Sequence, residues 1–224
     1  MILSMPLFAQ SFQSNENEVP ILIIENKKYY QKFIADLLLS QKGAENEFSI
    51  YVDGKELNLI KEMDVIMDFF QLELNYSKNL TKLYQYIKTE YVNEKYYMQT
   101  SDLLQQIMKY IDEIMEESEF SLSYDHELDI STILKAINLQ FYCDESSCLD
   151  VLIDYVRIMS GFFNKKIFVL TQFKHIFTEQ EQELFYQYIA YHKIEVLLLE
   201  SLGITKRMNG EIYRIIDEDH CVIY

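Results

Sequence analysis

From Lys55 to Ser160 the chain contains neither glycine nor proline. Because these two residues are the strongest helix breakers, so long a stretch without them predicts mostly helix. Its apolar residues recur every three or four positions, the spacing that places them on one face of a helix. Three such faces are present, in Leu80–Tyr91, Leu103–Met115 and Leu149–Met159. Thr100 or Ser101 is expected to be the N-cap of the helix that contains the second face.

The segment before this stretch carries the signals of strands. Ile21–Ile24 is a short apolar run, as in a buried strand. Phe48–Leu59 alternates in polarity on either side of Asp53-Gly54, a dipeptide typical of a two-residue hairpin turn. We therefore predict a strand followed by a hairpin.

The segment after the stretch predicts a second kind of unit. Lys165–Leu170 and Glu195–Glu200 are apolar runs of strand length. Between them Thr178 and Glu181 have the spacing of a capping box, which opens a helix. Strand, helix and strand in this order, with apolar strands, indicate a parallel βαβ unit with a right-handed crossover.

The last two strand-like segments, Glu211–Ile216 and His220–Tyr224, are expected at sheet edges. Strand signals thus occupy both ends of the chain and helix signals its middle. We predict an α/β head made from residues 1–59 and 160–224. A large all-helical insertion, the leg, is predicted at residues 60–159.

The net charge of −16 argues against general nucleic-acid binding, which normally leaves a basic footprint. Charge is unevenly distributed, however. Residues 60–159 hold 19 acidic and 8 basic residues, whereas the two flanks together hold 17 and 12. The head could therefore present a local basic surface although the whole chain is acidic.

The sequence carries no motif of a catalytic site. It has no GxxxxGK[ST] and no GxGxxG, and its five glycines are scattered. The four histidines stand far apart without HExxH spacing, and no nucleophile elbow is present. We therefore expect a protein that is not an enzyme.

Cysteine content and hydropathy suggest a compartment. The three cysteines, Cys143, Cys148 and Cys221, form neither a disulfide framework nor a CxxC site, so a reducing cytoplasm is expected. No apolar run reaches the ~18 residues of a transmembrane helix, so no membrane partner is expected.

Asp112–Asp129 carries eight carboxylates and no lysine or arginine. Oxygen donors at this density suit a hard cation such as Ca²⁺, although the segment lacks the glycine and spacing of an EF-hand loop. An equally good reading is a solvated acidic helix end, with Asp129 capping the helix that contains Leu134.

Taken together, the segments resemble the Csn-two family of CRISPR-associated adaptation proteins from subtype II-A systems. No single motif carries the resemblance, which rests on the order and spacing of six segments. They are Val19–Phe33, Leu72–Ile87, Ser118–Ile137, Phe162–Leu170, Lys193–Ser201 and Ile215–Tyr224.

The resemblance implies a homotetrameric ring whose heads are related to P-loop ATPases that have lost the phosphate loop. The ring would thread linear double-stranded DNA by its ends, and Ca²⁺ would hold the acidic legs. Its role would be spacer acquisition in antiviral defence, with CRISPR integrase proteins and the effector nuclease as partners. With three arginines and many lysines in the chain, contact with phosphates rather than base edges is expected.

The resemblance also implies two sets of site residues. At three positions where the family would carry carboxylates, this chain has Ser121, Ser123 and Tyr142. The implied calcium site therefore has fewer acidic ligands here. The expected calcium ligands are Glu119, Asp125, Glu127 and Asp129. The expected DNA-binding residues are Lys27, Lys28, Lys82, Lys135, Lys165 and Lys166 in matching segments, with Lys55, Lys206 and Arg207 beside turns of the head.

Two other functions remain open from the residues. One is a degenerate nucleotide-binding protein, against which the absent glycine loop counts heavily. The other is a protein-interaction scaffold of the adaptation complex without direct DNA binding, in which the acidic leg binds basic partners.

Overall fold

The computed structural model describes residues 1–45, 47–124, 128–144, 146–201 and 206–223. They form two compact units. The larger unit is Met1–Leu72 with Asp144–Tyr224, and the smaller unit is Glu73–Cys143. The smaller unit is therefore shorter at both ends than the leg predicted from the sequence.

All ten strands of the described residues belong to the larger unit. They are β1 (Ile2–Ser4), β2 (Phe12–Gln13), β3 (Val19–Ile24), β4 (Ser49–Val52), β5 (Lys55–Glu56), β6 (Met63–Ile66), β7 (Ile167–Thr171), β8 (Glu195–Glu200), β9 (Glu211–Ile216) and β10 (Val222–Ile223).

The helices are divided between the two units. In the larger unit they are α1 (Lys27–Ser40), α2 (Leu59–Glu62), α6 (Cys148–Phe163), α7 (Phe173–Ile176), α8 (Glu179–His192) and a 3₁₀ turn (Phe69–Gln71). In the smaller unit they are α3 (Ser77–Tyr86), a π-helical segment (Ile87–Asn93), α4 (Tyr97–Glu117) and α5 (Ile130–Ala136).

A six-stranded sheet in the order β10-β9-β3-β8-β7-β6 is the centre of the larger unit. Its strands are parallel except β10, which pairs antiparallel with β9. The parallel pairing of β7 with β8 confirms the predicted βαβ unit, and Thr178 and Glu181 form the predicted capping box of α8.

Side chains of β3 point alternately into two apolar clusters, one on each face of the sheet. Leu22 and Ile24 pack against α1 and a second sheet, which contains β1 and β4. Ile21 and Ile23 pack against α6 and α8 on the other face. All six residues of β3 are buried because helices or a second sheet cover both faces.

The second sheet has four antiparallel strands in the order β2-β1-β4-β5. The predicted hairpin joins β4 to β5. Asp53 and Gly54 at its turn have φ angles of 51° and 71°. Positive φ at both central positions is the requirement of a type I′ turn, which explains the Asp-Gly dipeptide.

Two predictions about strands were wrong. Residues 60–159 were expected to be helical, yet β6 lies among them and pairs in parallel with β7. Four residues are too few to reveal a period, and this pairing to a distant strand gives β6 its conformation. β9 was expected at an edge but lies between β3 and β10.

Two predictions about helices also need correction. Helix α6 was assigned to the leg, but Leu152 and Val156 are buried in the core of the larger unit. Helix α4 begins at Tyr97, so the expected caps Thr100 and Ser101 lie within it. The Thr100 N–H donates to the Tyr96 carbonyl at 2.8 Å, which is an ordinary first-turn bond.

Polar side chains connect the smaller unit's helices to its loops. Tyr84 Oη donates to the Leu139 carbonyl at 2.8 Å. The Asn75 side chain donates to the Phe141 carbonyl at 3.1 Å and accepts from its N–H at 2.9 Å.

Helix α4, 21 residues long, has no buried residue. None of the described helices is both long and apolar enough to cross a bilayer.

Candidate functional site

Lys27 and Lys28 are the first two residues of α1, directly beyond the carboxyl end of β3. Asn26 caps the helix, with its Oδ1 accepting from the Tyr29 N–H at 3.0 Å. The Asn26 Nδ2 donates to the Glu218 carbonyl at 2.9 Å, which connects this turn to the segment after β9. An asparagine side chain therefore holds the turn between β3 and α1, which contains no glycine.

The surroundings of Lys27 and Lys28 favour an anion. Both side chains are exposed, and within the described residues neither ammonium forms an ion pair. The first turn of α1 itself contains no acidic residue, although Glu25 directly precedes its cap. A helix N-terminus carries partial positive charge, so each lysine there costs about 0.3–1 kcal/mol unless a negative group is nearby.

Lys165 and Lys166 lie at the opposite edge of the same sheet. They precede β7, which is parallel to its neighbour β8, and β8 is in turn parallel to β3. The amino ends of these three strands therefore lie together, and their carboxyl ends, with Lys27, lie at the opposite end of the sheet. A strand of six residues is about 20 Å long. The structure therefore separates two pairs of lysines that were both predicted to bind DNA.

The side chains of Lys165 and Lys166 bind within the larger unit. The Lys165 Nζ donates to the carbonyls of Met63 at 2.7 Å and Ile60 at 3.4 Å. The Lys166 Nζ lies 2.6 Å from a carboxylate oxygen of Glu62, and this bond lowers the pKa of Glu62. Both lysines thus have a structural role where α2 meets β6.

The remaining predicted DNA-binding residues of the larger unit differ in their contacts. Lys55 is exposed on β5. Lys206 forms an ion pair with Glu179, and the Arg207 guanidinium lies 4.4 Å from the centre of the Tyr213 ring. In the smaller unit Lys82 and Lys135 are exposed on α3 and α5, two helices that pack together. A role of any of them in DNA binding stays a prediction.

A cavity of about 620 Å³ lies at the amino edge of the six-stranded sheet and was not predicted. Its lining includes Arg157 and Lys193 together with Lys165 and Lys166. These residues come from three separate segments, so no local pattern could reveal them. The lining also contains four acids and is electrically balanced. They are Glu16, Glu18, Asp53 and Glu195.

Of the four predicted calcium ligands, two lie in the described part of the chain. Glu119 is exposed beyond α4. Asp129 caps α5 as predicted, its Oδ1 accepting from the Ser131 N–H at 3.2 Å. Its other oxygen lies 2.7 Å from the Lys88 ammonium. Asp125 and Glu127 lie outside the described residues.

The described residues contain no group of three or more metal-binding side chains. Calcium binding by Glu119, Asp125, Glu127 and Asp129 therefore stays a prediction. Asp129 fits this role poorly, because both of its oxygens already have partners.

No curated protein matches the chain. The family model described as CRISPR-associated protein (Cas_Csn2) matches residues 41–220. The match includes both units but begins after α1, so it does not cover Lys27 and Lys28. Because the matched residues make up most of the 224, the chain belongs to the Cas_Csn2 family of CRISPR-associated proteins.

Proposed function

We propose that this protein binds the ends of linear double-stranded DNA, without sequence preference and without catalysis, during CRISPR spacer acquisition. The observation that carries the proposal is the exposed pair Lys27 and Lys28 at the N-terminus of α1, in a member of a CRISPR-associated family. Integrase proteins and the effector nuclease of the same system are its proposed partners.

The chemistry of this pair suits phosphate. Lysine ammonium is a compact point charge, whereas reading a guanine edge favours the forked guanidinium of arginine. A phosphate near Lys27 and Lys28 would meet two ammonium groups and the positive end of α1 together. It would also relieve the repulsion between the lysines and the helix dipole. Such contacts do not depend on base sequence.

We further propose a homotetrameric ring in which the smaller unit provides subunit contacts. Four apolar or aromatic residues of α4 are spaced by four, three and four positions and form one stripe. All four are exposed, between 39% and 64%. Such a stripe is typical of a helix that packs against a partner. The residues are Leu103, Ile107, Tyr110 and Ile114.

The test compares linear and covalently closed circular duplexes of the same sequence in a gel-shift titration. A closed ring that threads DNA needs an end, so linear duplex should bind and circles should not. Affinity should also fall steeply with salt, by roughly 10³–10⁵-fold between 50 and 200 mM if about 6–10 phosphates are neutralised. Linear fragments of unrelated sequence should bind equally well.

Two results would contradict the proposal. Equal binding of circles and linear fragments would exclude threading, and no binding of either would favour the scaffold. A rise in melting temperature with ATP would instead favour a nucleotide-binding protein, because ligands that bind only the folded state stabilise it.

A further inference from the structure

Lys88 and Asp129 form an ion pair within the smaller unit. The Lys88 Nζ lies 2.7 Å from Asp129 Oδ2, and the two residues are 41 positions apart. Lys88 belongs to the π-helical segment that joins α3 to α4, and Asp129 immediately precedes α5. The pair therefore connects the joint between two helices to the start of a third.

The second oxygen of the same carboxylate is also bound. Asp129 Oδ1 accepts from the Ser131 N–H, so one oxygen caps α5 while the other binds the ammonium. The hydrogen bond from Lys88 lowers the pKa of Asp129. The carboxylate is therefore a charged, doubly bound group rather than an available metal ligand.

The π-helical segment gives the lysine its position. Its wider turn is visible where the Tyr96 N–H donates to the Tyr91 carbonyl at 2.9 Å, a bond between residues five apart. A cavity of about 460 Å³ borders the ion pair, and Val92, Tyr97 and Leu104 also line it. The two side chains are 44% and 42% exposed, so the close 2.7 Å contact rather than burial gives the pair its strength.

The family resemblance implies calcium in this part of the chain. Ca²⁺ would need an Asp129 oxygen at 2.3–2.6 Å and several further oxygen donors. Asp129 Oδ2 instead has a positively charged partner at 2.7 Å. A divalent cation bound there would have to displace the ammonium, because the two positive charges would repel each other.

We propose that the Lys88 ammonium neutralises Asp129 in place of a metal ion and so removes Asp129 from any calcium donor set. The π-helical segment is then held to the start of α5 by a cation that the chain itself supplies. This inference concerns how the smaller unit is held together and does not depend on DNA binding.

The experiment measures melting temperature of the full-length protein, with chelator and with calcium chloride. Lys88→Gln removes the cation. Asp129→Asn removes the charge but keeps a good cap, since asparagine caps helices as well as aspartate. Lys109→Gln is the control, because Lys109 forms an exposed pair with Glu113 at 3.8 Å.

In chelator, Lys88→Gln should lower the melting temperature by about 2–4 °C. Lys109→Gln should leave it unchanged. The double variant of Lys88→Gln with Asp129→Asn should melt within about 1 °C of Asp129→Asn alone, because the two residues act as a unit. Calcium should leave the melting temperature of the wild type unchanged, or raise it equally in Asp129→Asn.

The proposal is overturned by either of two results. One is a calcium-induced rise in the wild type that Asp129→Asn abolishes, since Asp129 would then be a ligand. The other is additive effects of Lys88→Gln and Asp129→Asn in chelator, since the pair would then make no joint contribution.

Discussion

The Lys174 ammonium and the Glu211 carboxylate form an ion pair inside the larger unit, where 5% and 0% of their side chains are exposed. Glu211 also accepts from Tyr186 Oη at 2.7 Å and from the Met208 N–H at 2.6 Å. Burial raises the pKa of Glu211, but bonds from Lys174, Tyr213, Met208 and Tyr186 outweigh it and leave the pKa lowered. The cluster joins α7 and α8 to the start of β9.

Replacing Lys174 with methionine should destabilise the protein by about 3–5 kcal/mol, because it leaves the Glu211 carboxylate buried without its cation. Urea unfolding measures the effect. Adding Glu211→Gln to Lys174→Met should recover part of the loss, since the amide carries no charge. Lys206→Met is the control, because its pair with Glu179 is exposed and is worth about 1 kcal/mol or less. Equal losses from Lys174→Met and Lys206→Met would contradict this prediction.

Glu200 is a second enclosed carboxylate, but its pKa is shifted in the opposite direction. Burial raises its pKa, and bonds from the Lys174 N–H and His175 Nδ1, both at 2.9 Å, offset this only in part. The folded state therefore holds the Glu200 proton more tightly than the unfolded state. The stability that protonated Glu200 contributes to the folded state is fully present below the unfolded pKa of about 4.3. It is lost as pH rises through the folded pKa.

Glu200→Gln removes this titration while keeping a polar side chain of the same size. The stability of Glu200→Gln relative to wild type should therefore increase as pH rises from about 4 through the folded pKa of Glu200. Urea unfolding at a series of pH values measures the difference. A difference that is independent of pH would show that Glu200 titrates as it does in the unfolded chain, and one that decreases with rising pH would show that folding lowers its pKa.

Replacing Lys27 and Lys28 together with glutamate should change DNA binding and stability in opposite directions. DNA affinity should fall for every sequence alike. The plot of log affinity against log salt concentration should become shallower by about 2, because two phosphate contacts are lost. Each glutamate in the first turn should meanwhile stabilise α1 by about 0.3–1 kcal/mol. Gel shifts in a salt series and urea unfolding measure the two effects.

The matched control reverses the same total charge at Lys32 and Lys42. Lys32 lies further along α1 and Lys42 just beyond its end, and both are exposed. This double variant should retain most of the DNA affinity. If both double variants weaken binding equally, only net charge matters and the N-terminus of α1 is not the contact.

The double variant Ile107→Lys with Ile114→Lys should form a smaller assembly, without lowering the stability of the monomer. Both side chains are exposed, at 39% and 47%, so the change affects no core. In a subunit contact, however, it would bury two charges among apolar residues. Light scattering measures the mass, with lysine at the exposed Gln99 and Gln106 as control. An unchanged mass would place the contact elsewhere.

Features that depend on neighbouring residues were predictable from the sequence. The Asp53-Gly54 turn, the capping box of Thr178 and Glu181, and the Asp129 cap are each made by residues a few positions apart. The apolar runs of β3, β7 and β8 follow from burial on both faces of a sheet. In each case the conformation and its cause lie in the same short segment.

Features that depend on distant pairing were decided by the tertiary structure alone. β6 forms because it pairs with β7, about 100 residues further along the chain. Lys165 binds the Met63 carbonyl and Lys27 lies at the far end of the same sheet, although both were predicted from the sequence to bind DNA. Contacts between residues so far apart leave no period or spacing in the chain, because strand order, not sequence distance, determines which groups meet.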